Sequence, residues 1–338
     1  MQKIQQHSHH KGQVNSNVYK DNVYKGNVYK SNVYKSNVYK RLSDNFSIAL
    51  NSPVIWGYIS MLLVLFIWSG FALTIRIIDG SALEIADVAL IRFLVPAILL
   101  SPWLVSHCKT IKKVKLSDIA LILLGGIPFV FLAALGAKSV PVAYVGTILA
   151  GTPAFFVAII SYFFLAQTLS KKRLFTLSFI LVGILIMIVG ESEGMSLDVI
   201  IGLCFLFGAS FLWSIYIIGL RKIALKPMTI TLIISYLSGF IMLLLIGTGM
   251  VPSNLGHFSF QQALPFILIQ GLGIGVVATI CFSYAVSQLG SARSSVLGSL
   301  SPAVTALLAV PILGESLSVF VCIGVALTVI GVILSSRY

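Results

Sequence analysis

Two stretches of this chain are nearly the same and lie 145 positions apart. Ile67-Trp68-Ser69-Gly70-Phe71-Ala72-Leu73-Thr74-Ile75-Arg76 is echoed by Leu212-Trp213-Ser214-Ile215-Tyr216-Ile217-Ile218-Gly219-Leu220-Arg221. Trp-Ser, an aromatic two residues on and a closing Arg recur in register. Each stretch lies inside an apolar run long enough to cross a bilayer, so the chain reads as two copies of one membrane unit. If an odd number of spans separates the copies, they thread the membrane in opposite directions, and two such copies around one centre are the architecture of a carrier.

Composition agrees. The chain has 338 residues, 58% of them hydrophobic and 10% charged, against about 25% charged in a soluble globular chain. A mean hydropathy of +1.00 excludes a soluble domain of any size. The net charge of +13 raises nucleic acid as a partner, but 8 of the 23 Lys and Arg lie in the first 41 residues and most others fall in a few short loops. A positive-inside membrane protein explains that placement better than a nucleic-acid binder, and no nucleic-acid partner is expected. Cys108, Cys204, Cys281 and Cys322 form no C-x-x-C pair; they read as small helix residues, with no disulfide framework, metal site or cofactor expected. No cleavable signal peptide is expected at the start of this sequence.

Residues 16–40 are five tandem pentapeptides, Ser16-Asn17-Val18-Tyr19-Lys20 and then Asn-Val-Tyr-Lys led by Asp21, Gly26, Ser31 and Ser36. A period of five lines no single face of a helix or strand. Residues 1–50 therefore read as a disordered, low-complexity cytoplasmic tail. His7, His9 and His10 read as a solvated cluster, since nothing nearby fixes a metal geometry.

From residue 54 the apolar runs predict ten transmembrane helices, near 54–76, 88–107, 117–137, 142–165, 174–190, 199–220, 229–250, 263–286, 295–313 and 318–335. Each is long enough, at about 1.5 Å per residue, to cross ~30 Å of hydrocarbon. One set of loops carries Lys109, Lys112, Lys113, Lys115, Lys171, Lys172, Arg173, Arg221, Lys222, Lys226, Arg293 and Arg337; the other carries only Arg76 and Lys138. The second set also holds most acidic residues, Glu315 among them. Both termini are therefore expected in the cytoplasm. The Trp-Ser runs fall in spans one and six, five apart, so the halves 54–190 and 199–335 are expected to be inverted repeats. Thr152-Pro153-Ala154 in span four matches Ser301-Pro302-Ala303 in span nine, and Leu165-Ala166-Gln167-Thr168-Leu169-Ser170 matches Leu313-Gly314-Glu315-Ser316-Leu317-Ser318.

These residues resemble the EamA-type family of the drug/metabolite transporter superfamily over about residues 54–335. The most specific part is Leu289-Gly290-Ser291-Ala292-Arg293, Leu300-Ser301-Pro302, Leu313-Gly314-Glu315-Ser316-Leu317-Ser318, then Gly324 and Gly331; Trp68-Ser69 and Arg92-Phe93 also fit. The resemblance implies an all-α integral membrane protein of ten helices in two inverted five-helix repeats, a central cavity and alternating access, with metabolites or amino acids commonly exported. Gln167 departs from the pattern, standing where the family often has Glu.

Several residues are candidates for solute binding. Trp68 and Trp213 occupy equivalent sites well inside their spans and suit either a cavity wall or helix packing. Tyr144, Tyr216 and Tyr284 bring phenol hydroxyls that need partners if buried. Arg92 lies inside span two, where a fixed charge costs roughly 2.5 kcal/mol or more unless it snorkels to the outer interface or finds a partner. Its functional reading is an anchor for a solute carboxylate or phosphate. Pro153 and Pro302 should kink or break their helices and free carbonyls along the path. Glu315 is either a gate or a cap on the N-terminus of span ten. Small residues crowd spans three, four, eight and nine, as sliding helices require. Gly271-x-Gly273-x-Gly275 follows no strand and is not a nucleotide loop.

The expected activity is thus a non-enzymatic secondary transporter, a permease or exporter of small metabolites or amino acids. It is expected in the plasma membrane, a bacterial inner membrane, as a monomer or homodimer whose partners are a small solute and lipid. No Asp, Glu or His lies near the middle of a span, which favours gradient-driven transport over the alternative, a proton-coupled multidrug exporter. An integral-membrane enzyme acting on lipid is the alternative of another class; the loops offer no His or acidic cluster for it.

Overall fold

The computed structural model describes residues 53–164, 166, 168, 170–190, 196–223 and 225–335. The expected tail, together with Gln167, Glu191, Glu193 and Arg337, lies outside them, as does the side chain of Arg221. Residues 1–56 and 57–338 form separate units. The first is described only at 53–56, the opening of a helix; the fold below is that of the second.

Among the described residues all regular structure is helical. The first half contains α1 (Pro53–Arg76), α2 (Ile85–Leu99), α3 (Ser101–Ile111), α4 (Leu116–Leu123), α5 (Ile127–Ser139), α6 (Val142–Phe164) and α7 (Lys171–Val189). The second contains α8 (Leu197–Ile223), α9 (Pro227–Gly247), α10 (Phe260–Phe266), a π-helical segment (Ile267–Val277), α11 (Ala278–Leu289), α12 (Ser291–Gly298), α13 (Ser301–Leu313) and α14 (Val319–Ser335). Eight helical segments among the described residues are long and apolar enough to cross a membrane. Their flanks expose Phe163, Phe164, Leu185 and Phe240, a surface suited to lipid and not to water.

The other two expected spans differ from simple rods. The second, expected over 88–107, turns by 90° between α2 and α3. The break falls at Leu100, which leaves helical geometry at φ -93° and ψ 3°, and Pro102 then sits in the first turn of α3, where a missing N–H costs no helical bond. The tenth, α14, has 17 residues and is a shorter apolar helix. Span three is interrupted at 124–126, before Pro128 at the start of α5, and span nine is interrupted between α12 and α13, before Pro302. Pro153 behaves otherwise. α6 is one helix from Val142 to Phe164 with Pro153 inside it, so the expected break is not seen there.

Close backbone contact organises the packing. α7 lies against α14 so tightly that a Cβ on Gly183 would stand 2.6 Å from the carbonyl oxygen of Gly324. Small residues permit this approach in lipid, where tight van der Waals contact replaces the hydrophobic drive between helices. α5 and α6 pack on α8, α2 packs on α9 and on the π segment, and α13 packs on α6. The π segment carries Gly271 and Gly275, which face Val95 and Pro96 of α2. The loop between α9 and α10 is strapped to the start of α2: Ser253 Oγ donates to Asp87 Oδ1 at 2.5 Å and Asn254 N–H to Asp87 Oδ2 at 2.9 Å.

Candidate functional site

A cavity of about 370 Å³ opens between the two halves. Trp68, Phe71, Arg92, Phe129 and Pro153 line it from the first half; Trp213, Phe282, Ser294 and Thr305 line it from the second. The two repeated tryptophans, distant in sequence, thus face one space. Each Trp-Ser pair also reaches the other half. Ser69 Oγ donates to the carbonyl of Ser301 and Ser214 Oγ to the carbonyl of Pro153, both at 3.4 Å. Equivalent serines therefore bond equivalent proline-containing stretches across the seam.

The bulkiest lining residues are aromatic and cluster on two sides. Phe71 stacks with Phe129 at 5.9 Å between centroids, Phe129 meets Trp213 at 4.9 Å, and Trp213 meets Tyr216 at 4.8 Å. On the other side Trp68 meets Phe282 at 5.5 Å. Among the described lining residues Arg92 is the one ionisable side chain. It sits about two turns into α2 and is 8% exposed. It does not snorkel: Nη1 donates to Gln270 Oε1 at 2.7 Å, and the guanidinium carbon lies 4.8 Å from the centroid of Phe71. Gln270 Nε2 donates to Thr74 Oγ1 at 2.8 Å, and Thr74 in turn donates to the carbonyl of Gly70. These bonds orient the amide, so its oxygen faces the guanidinium.

Of the other expected residues Pro153 lines the cavity, and the three tyrosines and Pro302 do not. Tyr144 is buried away from the cavity, its hydroxyl donating to the carbonyl of Met187 at 2.6 Å. Tyr216 backs the wall behind Trp213 and fills the space above Gly125. Tyr284 is 38% exposed and is absent from the lining. Pro153 lines the cavity, whereas Pro302 is buried beside it and Ser301 presents the lining surface.

Glu315 caps a helix, but not the expected one. Its two carboxylate oxygens accept from the backbone N–H of Val142, at 3.1 and 2.9 Å, at the start of α6 in the other half. Arg76 Nε lies 3.8 Å from the same carboxylate, and Arg76 Nη1 donates to the carbonyl of Lys138 at 3.4 Å. The start of α14 is capped by Ser318, whose Oγ accepts from Val321 N–H. Lys138 pairs with Asp79 at 3.5 Å, within the first half; Arg76 is the first-half charge that reaches Glu315.

Sequence reasoning passed over Phe71, Thr74, Phe129, Gln270 and Phe282. Phe71 carried a signal, being one helical turn from Trp68. Gln270 carried another, as a neutral amide inside an apolar run, outside a search restricted to acids and histidine. Among the described residues no group of three or more His, Cys, Asp or Glu could hold a metal ion.

The EamA-like transporter family model matches residues 55–189 and again 200–337. A protein of Clostridium kluyveri named an uncharacterized transporter is 29% identical over 291 residues, 82% of this chain and 92% of that protein. A solved crystal structure covering 85% of this chain superposes over 99% of its own length with a TM-score of 0.56; at 18% identity that likeness speaks to fold alone. Two matches of one model, each over a half that supplies a wall of the cavity and several membrane-length helices, place this multi-pass membrane chain in the EamA-like transporter family, within the drug/metabolite transporter superfamily.

Proposed function

We propose that the protein is a secondary carrier that moves small metabolites or amino acids by alternately opening the central cavity to either side of a bacterial plasma membrane. The two halves act as inverted five-span repeats with both termini in the cytoplasm. The observation that carries this reading is the shared cavity, where the duplicated Trp68 and Trp213 meet around Arg92. A duplicated scaffold that converges on one polar-tipped, aromatic-walled space suits a solute held midway between two gates.

The positive-inside count assigns the Arg76 end of the bundle to the outer face. There the Arg76–Glu315–Val142 contact joins α1, α13 and α6, and Glu315 serves as an outer gate as well as a cap. At the equivalent inner turn the sequence has Gln167 in place of Glu315.

Uptake and counterflow by the purified full chain in liposomes, across a panel of amino acids and metabolites with and without a pH gradient, tests the proposal. Exchange of at least one solute with no imposed gradient is expected. Drug efflux that runs only under a pH gradient would shift the reading to a proton-coupled exporter, and a panel with no exchange at all would overturn it.

A further inference from the structure

Resting on the carrier reading and on the same cavity, we infer that the solute is an organic monoanion, a carboxylate on an apolar body, and that a zwitterion or cation of the same body is rejected. Arg92 holds a permanent charge, 8% exposed, in α2, an apolar helix that reaches membrane-span length only together with α3, to which it is bent by 90°. Among the described residues no carboxylate lies within ion-pair distance of it, and its hydrogen bond is to a neutral amide. A guanidinium has five N–H donors, and Gln270 takes one. An unpaired buried charge is unfavourable in lipid, and an anion entering the cavity supplies the missing counter-charge through two parallel bonds.

The rest of the lining agrees. Phe71 and Gln270 fix the guanidinium before solute arrives, which lowers the ordering needed on binding. Trp68, Phe129, Trp213 and Phe282 offer flat apolar faces. Ser294 and Thr305 line the same cavity with buried hydroxyls that have no hydrogen-bond partner, and these suit an oxo or hydroxyl group on the solute. Among the described residues no acidic side chain lines the cavity, so a solute ammonium would lose its water without gaining a carboxylate.

A matched series with one phenyl body separates the charges: 3-phenylpropanoate, phenylalanine and 2-phenylethylamine. Binding is read by tryptophan fluorescence of the detergent-solubilised full chain and flux by counterflow in liposomes. The anion should bind at least about tenfold more tightly than the other two. Gln270→Glu is nearly isosteric and puts a carboxylate 2.7 Å from Arg92. It should abolish 3-phenylpropanoate binding while leaving thermal stability unchanged or raised, and Arg92→Gln should abolish it as well. Equal binding of the three probes, or 3-phenylpropanoate binding that survives Gln270→Glu, overturns the anion assignment. If the series neither binds nor exchanges while an amine or zwitterion from the wider panel does, the assignment fails and the carrier reading stands. If no solute moves, both fail.

Discussion

Replacing Glu315 by Gln tests whether the outer contact is a gate. The amide keeps one oxygen for the Val142 N–H, now met at 2.9 and 3.1 Å by the carboxylate, and so isolates the charge. Two favourable terms disappear. The first is a full negative charge at the N-terminus of a 23-residue helix, worth about 0.3–1 kcal/mol and up to ~2 when partly buried. The second is attraction to Arg76 at 3.8 Å; with the side chains 32% and 20% exposed, solvent screening holds it to about 0–1 kcal/mol. Together they amount to about 1–2 kcal/mol, or roughly 5- to 30-fold in the ratio of closed to open outer ends. The readout is reaction of Ala150→Cys, in the cavity wall, with a membrane-impermeant maleimide added outside, after replacement of the four native cysteines. Glu315→Gln should speed labelling by that factor, and Glu315→Ala should speed it more, because it also strands the Val142 N–H. Arg76→Gln should act in the same direction and add little to Glu315→Gln, since both remove one interaction. Unchanged labelling in Glu315→Gln would refute the gate and leave Glu315 as a helix cap alone.

Other expectations concern packing, backbone and wall. Gly183→Ala places a methyl group 2.6 Å from the Gly324 carbonyl and should destabilise the detergent-solubilised protein by about 1–3 kcal/mol. Gly247→Ala, with nothing within 4 Å, should be neutral, and equal melting temperatures for the two would contradict the close approach of α7 and α14. Ala166 holds φ +49°, at the repeat position where Gly314 holds φ +68°. Ala166→Gly should therefore raise stability by about 1 kcal/mol, measured by thermal unfolding. Trp68→Ala and Trp213→Ala should each impair solute exchange in liposomes while leaving membrane insertion intact, whereas wild-type exchange in both would remove the tryptophans from the path.

How much could be read in advance depended on whether a residue's role is set by its own span or by a neighbour's. Trp68 and Trp213 were legible because duplication marks equivalent positions, and both residues line the cavity between the repeats. Arg92 was legible because charge inside an apolar run is costly wherever it points. Its clamp was not: Gln270 and Thr74 are 196 positions apart, and only the adjacency of span eight to spans one and two brings them together. The tyrosines show the same limit. Tyr144 has as polar a hydroxyl as any of them, yet a carbonyl on α7 captures it, and no local pattern names that partner. Pro153 and Pro302 look alike in sequence, but an unbroken helix runs through one while the other follows an interruption. Glu315 was read as a gate or as a cap on the nearer helix, since sequence favours local partners; the N–H its carboxylate accepts from is that of Val142, 173 residues away. Duplication shows which positions correspond without showing how their chemistry has diverged. On the proposed carrier reading, with the carboxylate of Glu315 holding the outer end shut, Gln167 lacks that charge at the corresponding turn of the sequence, which makes the two ends unequal and predicts a resting state open toward the cytoplasm.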